Sequence, residues 1–152
     1  MNNESLKTKI AQWEQGIEFE DGSQFLNIIT SPDKLLGVAN KLRFEEDMLF
    51  DFMFSLTCVD FSEYFMMVYH LRSIKHTHEI VLKVKIENRE KPEVDTLCSI
   101  WRTAEYHERE VFDLFGVVFT NHPDLRRILL TDEWEGYPLR KDYVDTVNMI
   151  SL

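Results

Sequence analysis

Between Phe50 and Ile86 three runs of strand character follow one another with only short connections, and this constrains the chain more than anything else in it. In FDFMFSLTCVD, Phe50, Phe52, Phe54, Leu56 and Cys58 fall on alternate positions, and in THEIVLKVKI, Ile80, Leu82, Val84 and Ile86 stand opposite Glu79, Lys83 and Lys85. Successive side chains of a strand point to opposite faces, so each run predicts a strand with one dry and one wet face. Between them EYFMMVYHLR is apolar at both parities, which predicts an interior strand covered on each side. Links as short as SE and SIKH leave no room for a crossover, so the neighbours are expected to be antiparallel.

Helical spacing flanks this region. In SPDKLLGVANKLRF, Ser31 is placed to cap, Pro32 to occupy the first turn and Asp33 to face the positive end of the dipole. Leu35, Val38, Ala39 and Leu42 then repeat with the period of one buried helix face. In WRTAEYHEREVFDLFG the aligned residues are Ala104, Val111, Phe112 and Phe115, with Gly116 placed to end the helix in a left-handed conformation. The expectation is one α+β domain over residues 1–152: an antiparallel-rich sheet across about 48–86, packed by helices over 32–44 and 102–115. A turn-rich stretch, 120–152, is expected to form an extended C-terminal arm.

Charge and cysteine usage exclude several functions. The net charge is −10, and no cluster of Lys and Arg suggests contact with nucleic acid or anionic lipid. No apolar run approaches the ~18–20 residues of a membrane span, and the opening MNNESLKTKIAQWEQG lacks the apolar core of a signal peptide, which predicts a cytoplasmic chain. Cys58 and Cys98 are the two cysteines, forty positions apart, too few for an iron–sulfur cluster or a zinc site and expected to be reduced core thiols.

The candidate functional residues cluster in EREVFDLFGVVFTNHPDLRRILL. Glu105, Arg109 and Asp113 are spaced i, i+4, i+8, as in an exposed ladder of ion pairs. Glu108 instead falls within the apolar stripe, where a carboxylate must be partnered or change its pKa. Two readings follow. Arg126 and Arg127 could return across the His122–Pro123–Asp124 turn to clasp Glu108, or Glu108 and His122 could form a general acid–base pair in a stand-alone hydrolase. Without a nucleophile or a phosphate-binding loop, the clasp is preferred.

His76 and His78 in HTH read as surface histidines at a strand start, with no third ligand at metal spacing; neither His70 nor His107 completes such a set. Trp101 reads equally as core or as interface. Trp134 and Tyr137, in the irregular arm, read as interface anchors, with Arg140 and Lys141 as cations for a partner.

The run EREVFDLFGVVFTNHPDLRRILL, continued by DEWEGYPLRKDY, resembles the signature of the thirty-kilodalton, or C, subunit of proton-translocating NADH:quinone oxidoreductase, respiratory complex I. The matching positions are Glu108, Arg109, Glu110, Asp113, Leu114, Phe115, His122, Arg126, Ile128 and Leu129; Glu105–Tyr106 departs from the family's usual Asn-Trp. The resemblance spans about residues 30–143 and implies a cofactor-free chain in a hetero-oligomer, beside quinone-pocket and iron–sulfur subunits that carry the flavin, clusters and quinone. It implies a scaffolding role on the cytoplasmic side of the inner membrane, with membrane contact only through the complex. The same resemblance covers equivalent subunits of membrane-bound hydrogenases and ferredoxin:plastoquinone reductases.

Overall fold

A computed structural model describes residues 2–20 and 24–145. Helix α1 (Asn3–Ile10) is followed by strands β1 (Glu18–Glu20) and β2 (Leu26–Thr30), a 3-10 turn at Pro32–Lys34 and helix α2 (Leu35–Phe44). The three long strands come next, β3 (Phe52–Asp60), β4 (Phe65–Ser73) and β5 (His78–Ile86), then β6 (Glu93–Asp95), α3 (Ala104–Phe115) and β7 (Val118–Thr120). The main sheet has the order β1-β2-β5-β4-β3. It is antiparallel throughout except that β2 runs parallel to β5, and β6 and β7 form a separate parallel pair. The α+β class and the antiparallel meander of β3, β4 and β5 are as the sequence predicts.

Register explains which face is buried. Leu71 lies between Met53 and Ile80, Tyr69 between Leu56 and Leu82, Met67 between Cys58 and Val84, and Phe65 between Asp60 and Ile86. These apolar side chains form one core with Leu6 and Ile10 of α1, with Leu35, Val38, Ala39 and Leu42 of α2, and with Ala104 and Val111 of α3. The architecture is thus two layers, sheet and helices. Strand β4 is interior, but the expected cover on both of its faces is only partial: its other face runs from buried Met66 through half-buried Val68 and His70 to exposed Arg72, outside the helix-packed core.

Three local expectations are corrected. The alternation Phe50–Phe52–Phe54–Leu56–Cys58 is broken by a register shift between Met53 and Ser55, where a bulge adds one residue and reverses the parity. Phe52 and Phe54 are therefore 43% and 40% exposed, while Met53 takes the inward place. Ser31 makes no side-chain capping bond, because Pro32–Lys34 opens α2 as a tighter 3-10 turn. His78 is buried, with Nε2 hydrogen-bonded to the Met48 carbonyl at 3.2 Å, and burial pushes its pKa down; it is not a surface histidine.

Helix α3 stops where Gly116 adopts φ 78° and its amide donates to the Phe112 carbonyl. The arm then comes back over this corner. A Cβ on residue 116 would lie 2.7 Å from the Tyr137 ring and 2.8 Å from the Arg140 guanidinium. Gly116→Ala therefore combines left-handed strain with a clash, and should cost at least about 1 kcal/mol of stability in urea denaturation. A midpoint equal to wild type would show that the corner is not held as described.

Candidate functional site

Glu108, Arg109 and Glu110 leave α3 in three directions. Glu108 is fully buried among residues that precede the helix: Oε1 accepts from the Leu97 amide at 2.7 Å, and Oε2 accepts from Thr96 Oγ1 at 2.6 Å and from Cys98 Sγ at 3.3 Å. The small parallel sheet places this segment, through the Thr96 amide to the Thr120 carbonyl at 3.0 Å and the Val118 amide to the Pro92 carbonyl at 2.9 Å. Burial pushes the Glu108 pKa up, against the opposing pull of the Leu97 amide, the Thr96 hydroxyl and the Cys98 thiol.

His122 closes the knot from the arm. Its Nε2 lies 3.7 Å from Glu108 Oε2 but donates to the Glu105 carbonyl at 3.0 Å, while Nδ1 accepts from the Asp124 amide at 3.0 Å. The ring thus carries its proton on Nε2, an assignment set by its two backbone partners. Neither arginine reaches Glu108. Arg126 pairs with Asp124, and Arg127 goes one turn further along α3 to Asp113. The expected Glu108–Arg clasp is corrected: a polar knot of short-range partners satisfies the glutamate instead.

The clasp does exist, on the face read as solvated. Asp113 is fully buried, and its Oδ2 accepts from three successive arm amides, Ile128 at 3.2 Å, Leu129 at 2.7 Å and Leu130 at 2.9 Å. Its Oδ1 receives Arg127 Nη1 at 3.0 Å. Arg109, also buried, donates from Nε and Nη2 to the carbonyls of Arg126 and Arg127, each at 3.1 Å. Burial alone would raise the Asp113 pKa, yet the Leu130, Leu129 and Ile128 amides with Arg127 outweigh it and hold the pKa below the usual carboxylate value. The ladder reading failed because the polar stripe is covered by polar backbone, which periodicity cannot distinguish from water.

Further along, the arm is bound to its own domain. Arg127 Nη2 donates to the Gly136 carbonyl at 3.0 Å, and the Leu139 amide and Arg140 Nε donate to the carbonyls of Leu114 and Phe115, closing the C-terminus of α3. Tyr137 lies under the guanidiniums of Arg127 and Arg140. Asp60 at the end of β3 is buried; Arg89 forks onto it, and the Lys141 amide donates to its Oδ2 at 2.9 Å. The Arg89 hydrogen bond, with the Lys141 and Ser62 amides, holds the Asp60 carboxyl far below its usual range. Tyr137 and Arg140 are thus internal fasteners, contrary to their reading as partner anchors. Trp134 and Lys141 are exposed. Trp101 is core, its Nε1 donating to the Phe50 carbonyl at 2.8 Å.

Sequence reasoning passed over Thr96, Leu97, Asp60 and Arg89, and read Cys98 only as a core thiol, whereas it is half-buried and donates to Glu108. Asp60 carried a signal, since it continues the parity of Leu56 and Cys58 and so belongs to the buried face of β3. The Thr96–Cys98 segment carried none.

The knot has no opening for chemistry. The Glu108 and His122 side chains are both fully buried, so a substrate cannot reach an acid–base pair there. Candidate ligand atoms of Cys98, Glu108 and His122 lie within 4.8 Å of one another. Each is already committed: the carboxylate to three donors, the imidazole to a carbonyl and an amide, and the Cys98 thiol, pushed up to about 12 chiefly by burial, to the carboxylate. A divalent cation would have to displace these bonds and deprotonate the thiol, so the donor set does not fit a metal.

Residues 28–147 match the family model described as "Respiratory-chain NADH dehydrogenase, 30 Kd subunit". The chain is 44% identical over 120 residues to the C subunit of the NADH-quinone oxidoreductase of Roseiflexus castenholzii, covering 77% of this chain and 68% of that one. To the corresponding C subunit of Moorella thermoacetica it is 42% identical over 129 residues, covering 84% and 85%. It is also 44% identical over 121 residues to the C/D subunit of Phocaeicola vulgatus, spanning 79% of this chain but only 23% of that longer protein. A solved structure of the membrane-bound sulfane sulfur reductase, an archaeal respiratory membrane complex, contains a chain of the same fold. It aligns with a TM-score of 0.76 at 27% identity, covering 95% of this chain and 86% of that one.

Two carboxylates on one helix should respond oppositely to pH. The folded-state pKa of Asp113 is depressed, so its contribution is present above its unfolded pKa and is lost as pH falls through the folded value. Asp113→Asn should cost about 3–5 kcal/mol at neutral pH by stranding Arg127 and the arm amides, and should reduce the loss of stability below about pH 4. The folded-state pKa of Glu108 is raised, so its stabilisation is complete below its unfolded pKa and is lost as pH rises through the folded value. Glu108→Gln should flatten the decline in stability above about pH 4.5, as measured by urea melts at several pH values. Parallel pH profiles for wild type and the two variants would contradict both assignments.

Proposed function

From the premise that the chain belongs to the respiratory-chain NADH dehydrogenase 30 Kd subunit family, we propose that it is a non-catalytic peripheral-arm subunit of an NADH:quinone oxidoreductase. It scaffolds the quinone-reducing module while flavin, iron–sulfur clusters and quinone are held by partner subunits, so that electrons pass from NADH to quinone and drive proton translocation. It sits on the cytoplasmic side of the membrane and is attached only through those partners. Among the described residues no helix is long and apolar enough to cross a bilayer, which fits a peripheral place.

The observation that carries this reading is the division of labour in the arm. Arg127 and Arg140 turn inward onto Asp113 and the end of α3, and Asp113 and Asp60 hold the arm's backbone amides, while large apolar side chains stand on the outside among exposed charges. Leu129 is 64% exposed, Leu139 53% and Trp134 39%, with Ile128 and Val144 also exposed. Large apolar side chains on a rigidly held backbone suit a permanent interface, because little ordering entropy remains to be lost on assembly. Lys141, exposed beside them, offers a cation to a partner carboxylate.

A second machine is favoured by one observation, the fold's occurrence in a sulfane sulfur reductase complex. The same scaffold would then serve an equivalent subunit of a membrane-bound hydrogenase or a ferredoxin:plastoquinone reductase. Identification of a flavin-binding NADH subunit in the purified complex discriminates between them.

Leu129→Asp combined with Trp134→Ala should change the stability of the free chain by no more than about 0.5 kcal/mol, because both side chains are exposed. It should lower recovery of the chain in the native complex at least about tenfold. NADH:quinone reductase activity per assembled complex should stay at wild type. Full assembly with a slowed turnover would assign the arm a direct part in the reaction and overturn the scaffold reading.

A further inference from the structure

Strand β3 is an outer strand of the main sheet, pairing with β4 on one side only. The phase of that pairing is fixed by the Phe61 amide, which donates to the Tyr64 carbonyl at 3.0 Å. In an antiparallel ladder the hydrogen-bonded pairs alternate, so the register Val59↔Met66, Cys58↔Met67, Thr57↔Val68, Leu56↔Tyr69 turns the amide and carbonyl groups of Leu56 and Cys58 away from β4. Among the described residues nothing hydrogen-bonds to these groups from the open side.

Both ends of this edge are closed. Thr103 Oγ1 donates to the Met53 carbonyl at 3.0 Å and Trp101 Nε1 to the Phe50 carbonyl at 2.8 Å, while at the other end Asp60 takes the Lys141 amide. Between the closures lies a cavity of about 350 Å³, walled by Ser55–Cys58 on one side and by His107, Glu110, Val111 and Leu114 of α3 on the other, with Leu139 of the arm at its rim. Its lining combines an unpaired strand edge with apolar side chains. That combination suits an extended backbone, which supplies matching amides and carbonyls while inserting alternate side chains.

We infer that this groove receives an extended segment of a partner subunit by strand addition along Leu56–Cys58, with an apolar side chain in the cavity and a Lys or Arg meeting Glu110. Charge selects the occupant. Glu110 is exposed at the groove, and among the described residues no cation pairs with it. The whole chain carries −10. A second copy of the chain would bring the same acidic groove opposite itself, so the complementary strand is basic and belongs to another protein. Leu139 belongs both to the groove and to the exposed apolar set of the arm, which makes the two surfaces continuous.

The inference rests on the subunit reading above, and the test separates the two. The full chain is compared, free and within its purified native complex, by hydrogen–deuterium exchange resolved at the Leu56 and Cys58 amides. Assembly should slow both amides at least about tenfold and protect one lysine- or arginine-containing partner segment in parallel. Glu110→Lys, a change at an exposed side chain that no cation among the described residues pairs with, leaves the fold intact and should lower recovery in the complex at least about fivefold. Replacing the partner's cation by Glu should restore it. A chain that assembles while Leu56 and Cys58 exchange as fast as in the free protein overturns the groove inference and leaves the subunit reading standing. A free chain that dimerises with these amides protected also overturns it, by naming a second copy as occupant. A chain recovered without partners overturns both.

Discussion

The fold depends on a problem that Asp113 solves. From Asn121 to Asp145 the described chain has no helix or strand, so its backbone amides and carbonyls lack the partners that regular structure would provide. A segment of this kind stays in one place only if side chains of a rigid element meet its backbone. Helix α3 does so with opposite chemistries one turn apart: Asp113 accepts three consecutive amides, and Arg109 donates to the two carbonyls just before them. Arg127, from the arm itself, returns to Asp113 and neutralises the buried charge. The arm is therefore held in register by its main chain, and its side chains from Ile128 to Leu139 keep fixed directions.

The clasp also connects the two ends of the domain. Leu139 and Arg140 close the carbonyl end of α3, and the Arg140 guanidinium stacks over Phe65, the first residue of β4. The next amide, of Lys141, reaches Asp60, the last residue of β3. The arm thus runs from the middle of α3 to the β3–β4 turn and is fastened at both. Gly116 is where this becomes tight, since only a residue without Cβ leaves room for Tyr137 and Arg140 over the helix end.

Much of this was legible in the sequence, and the failures share a cause. The period-two pattern of β5, the buried face of α2 and the left-handed end of α3 are local consequences of side-chain spacing, and all three are as read. Lost were features set by long-range backbone contacts. The parallel pairing of β2 with β5 joins segments some fifty residues apart, and β6 and β7 are three residues each, too short for alternation to register. The bulge after Met53 leaves no compositional mark, because the residues around it are apolar at both parities. At the candidate site the signature residues were found, but partners were assigned by charge alone. Opposite charge suggested arginine for Glu108, whereas the carboxylate that received arginine was Asp113, one the helical wheel had assigned to water.

The two carboxylates show why the partner's identity matters more than the number of bonds. Glu108 and Asp113 are both fully buried, and each accepts three or more hydrogen bonds. Burial pushes both pKa values up, and only for Asp113 do the partners reverse the sign. Asp113 faces three backbone amides and a guanidinium, all fixed donors and one of them permanently charged. Glu108 faces one amide, a hydroxyl and a thiol, of which the last two can rotate away, with His122 giving its Nε2 proton to a carbonyl instead. The charged form is therefore required on the face that binds the arm, whereas the face that binds Thr96–Cys98 can accept a proton without losing its geometry. If partner surfaces meet the arm, as proposed, the rigid face of α3 whose carboxyl is held toward its ionised form is the one that supports assembly, and the face whose carboxyl is pushed toward its neutral form lies behind it in the core.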